Sequence, residues 1–117
     1  MLAEQAAGHD QEPLHAPELI EPETLSALRG LVMGGQLDAA RADEAVLSMG
    51  AVRFIRYPHG PFRERVRELR HNLTPYDAMY VALAEALGAA ILLTGDAGLA
   101  AEAARAMGPS RVRYVSA

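Results

Sequence analysis

The chain has 117 residues, half of them hydrophobic and 22% charged, with no Cys and a formal charge of −4. That length allows one domain, residues 1–117, around a single core, and the lack of Cys excludes disulfides and thiolate metal sites. No apolar run approaches the ~20 residues of a membrane span. The first ten residues lack the basic start and apolar centre of a secretion signal, so a cytoplasmic protein is expected.

Charge is unevenly placed. All 11 basic residues are Arg; residues 4–44 hold nine acids against two Arg, a local net of −7, and residues 53–70 hold six Arg against Glu64 and Glu68, a local net of +4. Such polarity suits a cation site on one side and an anionic partner on the other.

In chain order, residues 1–16 read as the tail of a helix followed by a polar connection, Gly8-His9-Asp10-Gln11-Glu12-Pro13. Pro22 fits the first turn of a helix, where its missing N–H costs nothing. Leu25, Leu28 and Val32 continue it at helical spacing, and Gly34-Gly35 ends it. Leu37 to Met49 forms a second helix, closed by Gly50. Val52 to Tyr57 is β-prone and is stopped by Pro58-His59-Gly60-Pro61. A third helix spans Phe62 to His71, with Phe62, Val66 and Leu69 inward and Arg63, Arg67 and Arg70 on a neighbouring stripe. Thr74-Pro75 starts a fourth, running to about Leu87. Ala90 to Thr94 then reads as a strand buried on both faces, followed by a helix over 97–107 and a last strand over Val112 to Val115. Alternating helices and short strands specify an α/β fold with a mainly parallel sheet. Only about three strands are legible, fewer than the about 5–6 of an average sheet.

Three acids share a setting. Glu23 follows Pro22 in a first helical turn, Asp77 lies three residues after the N-cap candidate Thr74, and Asp96 stands between a strand end and a helix start. Each alone is accounted for by the helix dipole, at about 0.3–1 kcal/mol. Together, at one sheet edge, three carboxylates would repel unless a hard cation bridged them, and carboxylate oxygens suit Mg²⁺ or Mn²⁺. Such a metal supports hydrolysis of phosphodiesters. The four His show no metal-ligand spacing and read as surface or loop residues. Tyr76 and Tyr80, near Asp77, read as core or dimer-contact residues.

Leu73-Thr74-Pro75-Tyr76-Asp77-Ala78-Met79-Tyr80-Val81-Ala82-Leu83-Ala84-Glu85 and Leu92-Leu93-Thr94-Gly95-Asp96-Ala97-Gly98-Leu99-Ala100 resemble the PIN-domain toxins of the VapC family. So do His15-Ala16-Pro17-Glu18-Leu19-Ile20 leading to Glu23, Tyr57-Pro58-His59-Gly60-Pro61, and Leu69-Arg70-His71-Asn72. The resemblance covers roughly residues 14–107, with separate motifs in the right order. It implies a PIN-like three-layer fold, helices flanking the sheet, and an Mg²⁺-dependent endoribonuclease (Mn²⁺ as the alternative ion). It further implies the toxin of a type II toxin–antitoxin pair, cutting RNA with metal-activated water, bound by a VapB-like antitoxin and forming a homodimer. Glu23, Asp77 and Asp96 match three of that family's four acidic positions and are the expected catalytic and metal residues. Arg63, Arg67, Arg70, Asn72 and Thr94 are candidates for RNA or antitoxin contact.

The family begins with an apolar strand ending in its first Asp, and no such segment is found; Asp10 lies in a polar context. The chain therefore reads as N-terminally truncated relative to the family, and a start codon placed too far downstream is the expected cause. The rival expectation is a catalytically impaired remnant that binds antitoxin through the helices at 22–49. Thr94-Gly95-Asp96 after a strand also resembles phosphatase folds of the haloacid-dehalogenase type, but these need an Asp nucleophile ending an early strand.

Overall fold

In the computed structural model, which describes residues 2–5, 14–88, 90–94 and 97–114, the strands are β1 (Leu2–Gln5), β2 (Leu14–Pro17), β3 (Phe54–Tyr57), β4 (Ala90–Thr94) and β5 (Val112–Tyr114). The helices are α1 (Ile20–Met33), α2 (Ala39–Ala51), α3 (Arg63–Glu68), α4 (Pro75–Ala86) and α5 (Ala97–Met107), with 3-10 turns at Gly60–Phe62 and Pro109–Arg111. The strands form one sheet in the order β3-β2-β1-β4-β5. β2 and β3 pair in parallel, from Leu14↔Phe54 to Pro17↔Tyr57, and β4 and β5 from Leu92↔Val112 to Thr94↔Tyr114. β1 runs antiparallel to both of its neighbours. Four strands thus point one way, the mainly parallel α/β sheet that the alternation of elements specifies, with one reversed strand at its centre.

The N-terminal segment corrects the sequence reading. Residues 1–16 were expected to hold the tail of a helix, yet Leu2–Gln5 and Leu14–Pro17 are strands. Leu, Ala, Glu and Gln are good helix formers, so nothing local announces β1; its ladder with β2 and β4 does. β2 is a four-residue run ending in Pro17, too short for a period-2 pattern. It is fixed by burial of His15, Ala16 and Pro17 and by the ladder to β3. These two strands also raise the sheet from the three legible to five. The third helix is shorter than expected: a 3-10 turn over Gly60–Phe62 and then α3 replace Phe62 to His71.

Helix α4 is the centre of the core. Thr74 caps it, accepting the Asp77 N–H at 3.2 Å, and Pro75 takes the first-turn position. Gly88, at φ +69°, lies just beyond its end in a conformation that a side chain would strain. Every residue from Ala78 to Ala84 is buried, the pattern of a helix covered on all sides. Small Ala78, Ala82 and Ala84 let it lie close to β1, β2 and β4 on one side and α3 and α5 on others. Tyr80, Val81, Leu73 and Ala103 form the cluster that Val66, Leu69 and Met107 flank. Val66 of α3 and Leu69 just after it therefore pack against the core while Arg63, Arg67 and Arg70 are exposed, as the spacing predicts, and Phe62, expected inward with them, is half-buried in the 3-10 turn.

This arrangement decides where the acids gather. β2 and β4 run in the same direction, so Pro17 and Thr94 end at the same sheet edge. α1 begins just beyond that end of β2. α4 packs on β4 and connects to its start by a short turn, so it runs back and begins at the same edge. Ligands of open α/β sheets bind at that edge.

Candidate active site

The start of α1 is tied to the neighbouring chain by several hydrogen bonds. Glu18 N–H donates to the Tyr57 carbonyl at 2.9 Å, and Leu19 N–H donates to His59 Nε2 at 3.0 Å. His15 Nδ1 and the Tyr57 hydroxyl are 2.7 Å apart, and Glu21 pairs with Arg56. His15 is only 4% exposed, and its Nε2 has no hydrogen-bond partner among the described residues. The surface or loop role expected for the histidines thus fails for His15. Its place mid-strand was hidden because β2 itself was not legible. Anchored in this way, the first turn of α1 carries Glu21 and Glu23 at the positive end of the helix.

Glu23, half-buried, accepts a hydrogen bond from the hydroxyl of Tyr80. Tyr80 lies three residues after Asp77, and residues three apart share a helix face. Burial, then the bond to Glu23 and the charges of Glu23 and Asp77, hold the Tyr80 hydroxyl well above the ordinary tyrosine range. The phenol therefore keeps its proton, and both carboxylates act on it. Asp77 is half-buried in the first turn of α4, its N–H held by Thr74. The structure brings together two of the three expected acids, from helices far apart in sequence. Tyr80, 1% exposed, packs in the core, one of the two places its sequence suggests, and also bonds Glu23, a role whose only sequence signal is its i+3 spacing from Asp77. Tyr76, by contrast, is 62% exposed.

Asp96 lies outside the described residues, between the end of β4 and the start of α5. Thr94 ends β4, opposite Tyr114. Among the described residues no group of three or more His, Cys, Asp or Glu side chains is placed to hold a metal; Glu23 and Asp77 supply two. Their chemistry fits a hard divalent cation: two carboxylates, one of them accepting from a phenol, with no thiolate.

The basic stripe is partly neutralised within the chain. Arg67 Nε donates to both oxygens of Glu64 at 3.1 and 3.2 Å, and Arg70 Nη1 to the Arg67 carbonyl at 2.8 Å. Arg65 holds Glu85 in a two-pronged pair at 2.8 and 2.9 Å, linking α3 to α4. Arg63 is exposed beside His59 and Met79. Asn72 is exposed in the turn before α4 and lines a cavity of about 250 Å³ with Arg65, His71 and Arg105.

α1 and α2 pack on each other, and only Ile20 and Ala42 of them are buried. Between them runs an open groove of about 270 Å³ lined by Leu25, Leu28, Val32, Met33 and Val46, with Arg29 and Asp43 at its border. Leu25 is 48% exposed and Met33 72%. No helix among the described residues is long and apolar enough to cross a membrane.

A family model described as PIN domain matches residues 2–105. Ribonuclease VapC9 of Mycobacterium tuberculosis is 45% identical over 85 residues, covering 73% of this chain and 66% of its own length. Ribonuclease VapC1 of the same species is 44% identical over 88 residues, covering 74% and 65%. Ribonuclease VapC12, also of that species, is 35% identical over 89 residues, covering 76% and 68%. The chain thus spans about two thirds of the length of the curated relatives it matches. No solved structure matches it.

Proposed function

Since the chain belongs to the PIN-domain family, and within it to the VapC proteins, we propose that it is the ribonuclease toxin of a toxin–antitoxin pair, cutting RNA with a divalent cation. The observation that carries this reading is the hydrogen bond from Tyr80, on the helix that begins with Asp77, to Glu23 at the start of α1, which ties the two acid-bearing helix starts to one sheet edge. Glu23, Asp77 and Asp96 would hold Mg²⁺, with Mn²⁺ as a substitute. Bound there, the cation would activate water and offset the charge that builds on the scissile phosphate.

The chain's own residues do the rest. Thr74 fixes the turn that presents Asp77, and the hydrogen bonds from Glu18 and Leu19 fix the turn that presents Glu23. Arg63, Arg67, Arg70 and Asn72 are the proposed contacts to the phosphate backbone. Arg63 and Arg70 have no carboxylate hydrogen-bonded to them among the described residues, whereas Arg67 would have to leave Glu64. Thr94, closing β4 at the same sheet edge, is the proposed contact nearest Asp96. A VapB-like antitoxin would cover the apolar groove between α1 and α2, and the protein would act as a homodimer in the cytoplasm.

The test is RNA cleavage with Mg²⁺ by this chain beside Asp77→Asn and Asp96→Asn, which keep the shape of the site and remove its charge. Cleavage that disappears in both variants supports the reading. A folded chain that cuts no RNA at millimolar Mg²⁺ overturns it. The exposed α1–α2 groove then favours a second reading, an antitoxin-binding module without activity, whose readout is capture of the antitoxin.

A further inference from the structure

We infer that Tyr80 is a positioning residue of the metal site: its hydroxyl orients the Glu23 carboxylate, which together with Asp77 would hold the cation. The inference rests on the proposed function and goes beyond it, because Tyr80 is neither an acid nor an expected ligand. Three observations carry it. Tyr80 is 1% exposed within α4, packed in the cluster of Leu73, Val81 and Ala103, so its ring cannot swing to follow a mobile partner. Its hydroxyl donates to one oxygen of Glu23, across 57 residues of chain. Its position three residues after Asp77 puts the donor on the face of α4 that carries the second acid.

A Glu side chain has three rotatable bonds and would otherwise sample many rotamers in a half-exposed first turn. One donated hydrogen bond from a rigid ring removes most of that freedom before any cation arrives. It also engages one carboxylate oxygen of Glu23. Partners that orient metal-ligating side chains in this way typically affect metal affinity by about 10–100-fold.

The experiment is a Mn²⁺ titration of the full chain followed by thermal unfolding, with wild type, Tyr80→Phe, Glu23→Ala and the double variant. Phenylalanine fills the same space and removes only the donor. The expected result is a stabilising shift in wild type, a Mn²⁺ concentration requirement raised about 10-fold or more in Tyr80→Phe, and no further change when Tyr80→Phe is added to Glu23→Ala, which leaves the hydroxyl nothing to orient. Equal Mn²⁺ dependence in wild type and Tyr80→Phe overturns the inference, as does tighter binding in Tyr80→Phe, which would mean that the hydroxyl competes with the cation. No Mn²⁺ shift in wild type overturns the metal-site reading itself. Should Tyr80→Phe not fold, the bond is tested from the other side in metal-free buffer. Glu23→Ala must then lower the melting temperature more than Glu23→Gln, whose amide oxygen still accepts; equal losses overturn the inference.

Discussion

Replacing Glu23 by Gln or Asp77 by Asn keeps the volume of each side chain and removes a charge on which a bound cation would depend. Several kcal/mol of transition-state stabilisation rest on such a cation, and each 1.36 kcal/mol is tenfold in rate. RNA cleavage should therefore fall on the order of 100-fold or more in either variant, with the circular dichroism spectrum unchanged. Tyr80 makes a separate prediction about pH. Its pKa is raised in the folded chain by burial and by the two acids, so folding is supported by a proton that the unfolded chain releases above about pH 10. That stability is fully present below pH 10 and is lost as the pH rises further, at up to about 1.4 kcal/mol per pH unit. Urea midpoints at pH 8 and 11 in metal-free buffer should fall more for wild type than for Tyr80→Phe. A fall of the same size in both would show that Tyr80 does not hold its proton in the way described.

At the scale of elements, α4 does most of the positioning. Thr74→Ala removes the acceptor for the Asp77 N–H and should cost about 1 kcal/mol, read as a lower urea midpoint, together with a weaker metal response because the turn carrying Asp77 frays. Arg65→Ala breaks the two-pronged pair to Glu85 and separates α3 from α4. With Arg65 partly exposed, about 1 kcal/mol is expected, and less in high salt. α4 was legible in the sequence because Thr74-Pro75, the first-turn Asp77 and a long small-and-apolar run all agree. β4 was legible from its unbroken apolar run between glycines. β1 and β2 were not, for a physical reason: four residues of helix-forming composition, and four more ending in Pro17, become strands only through their partners. The histidine in β2 was misread with its strand. At the site the acids of α1 and α4 could be named from their helix starts, but the bond from Tyr80 to Glu23 could not, because it depends on how two helices dock.

For the whole molecule, the acidic N-terminal segment and the Arg-rich middle meet at the Glu21–Arg56 pair. α1 and α2 carry an apolar groove open to solvent, whereas Arg56, Arg65 and Arg67 are each engaged with an acid of the same chain. Under the proposed function, antitoxin capture should depend on the groove and RNA cleavage on the edge of the sheet. Leu25→Asp with Val46→Asp should abolish antitoxin binding in a pull-down with purified antitoxin and leave cleavage near the wild-type rate. Loss of both together would place the two activities on one surface.

The hydrogen bond from Tyr80 to Glu23 has a consequence in the order of synthesis. α1 is made long before α4, so a nascent chain that has folded α1 carries Glu23 with nothing to orient it and no Asp77 beside it. Under the proposed function, competence to bind metal would then arise in one step, when α4 docks, and the growing chain would stay silent toward RNA until that moment. Separate fragments 1–72 and 73–117, divided at the exposed turn after α3, should each lack a Mn²⁺-dependent thermal shift. Mixing them should restore it. Under the proposed function, a ribonuclease assembled across such a seam would be inert in pieces and active only when joined.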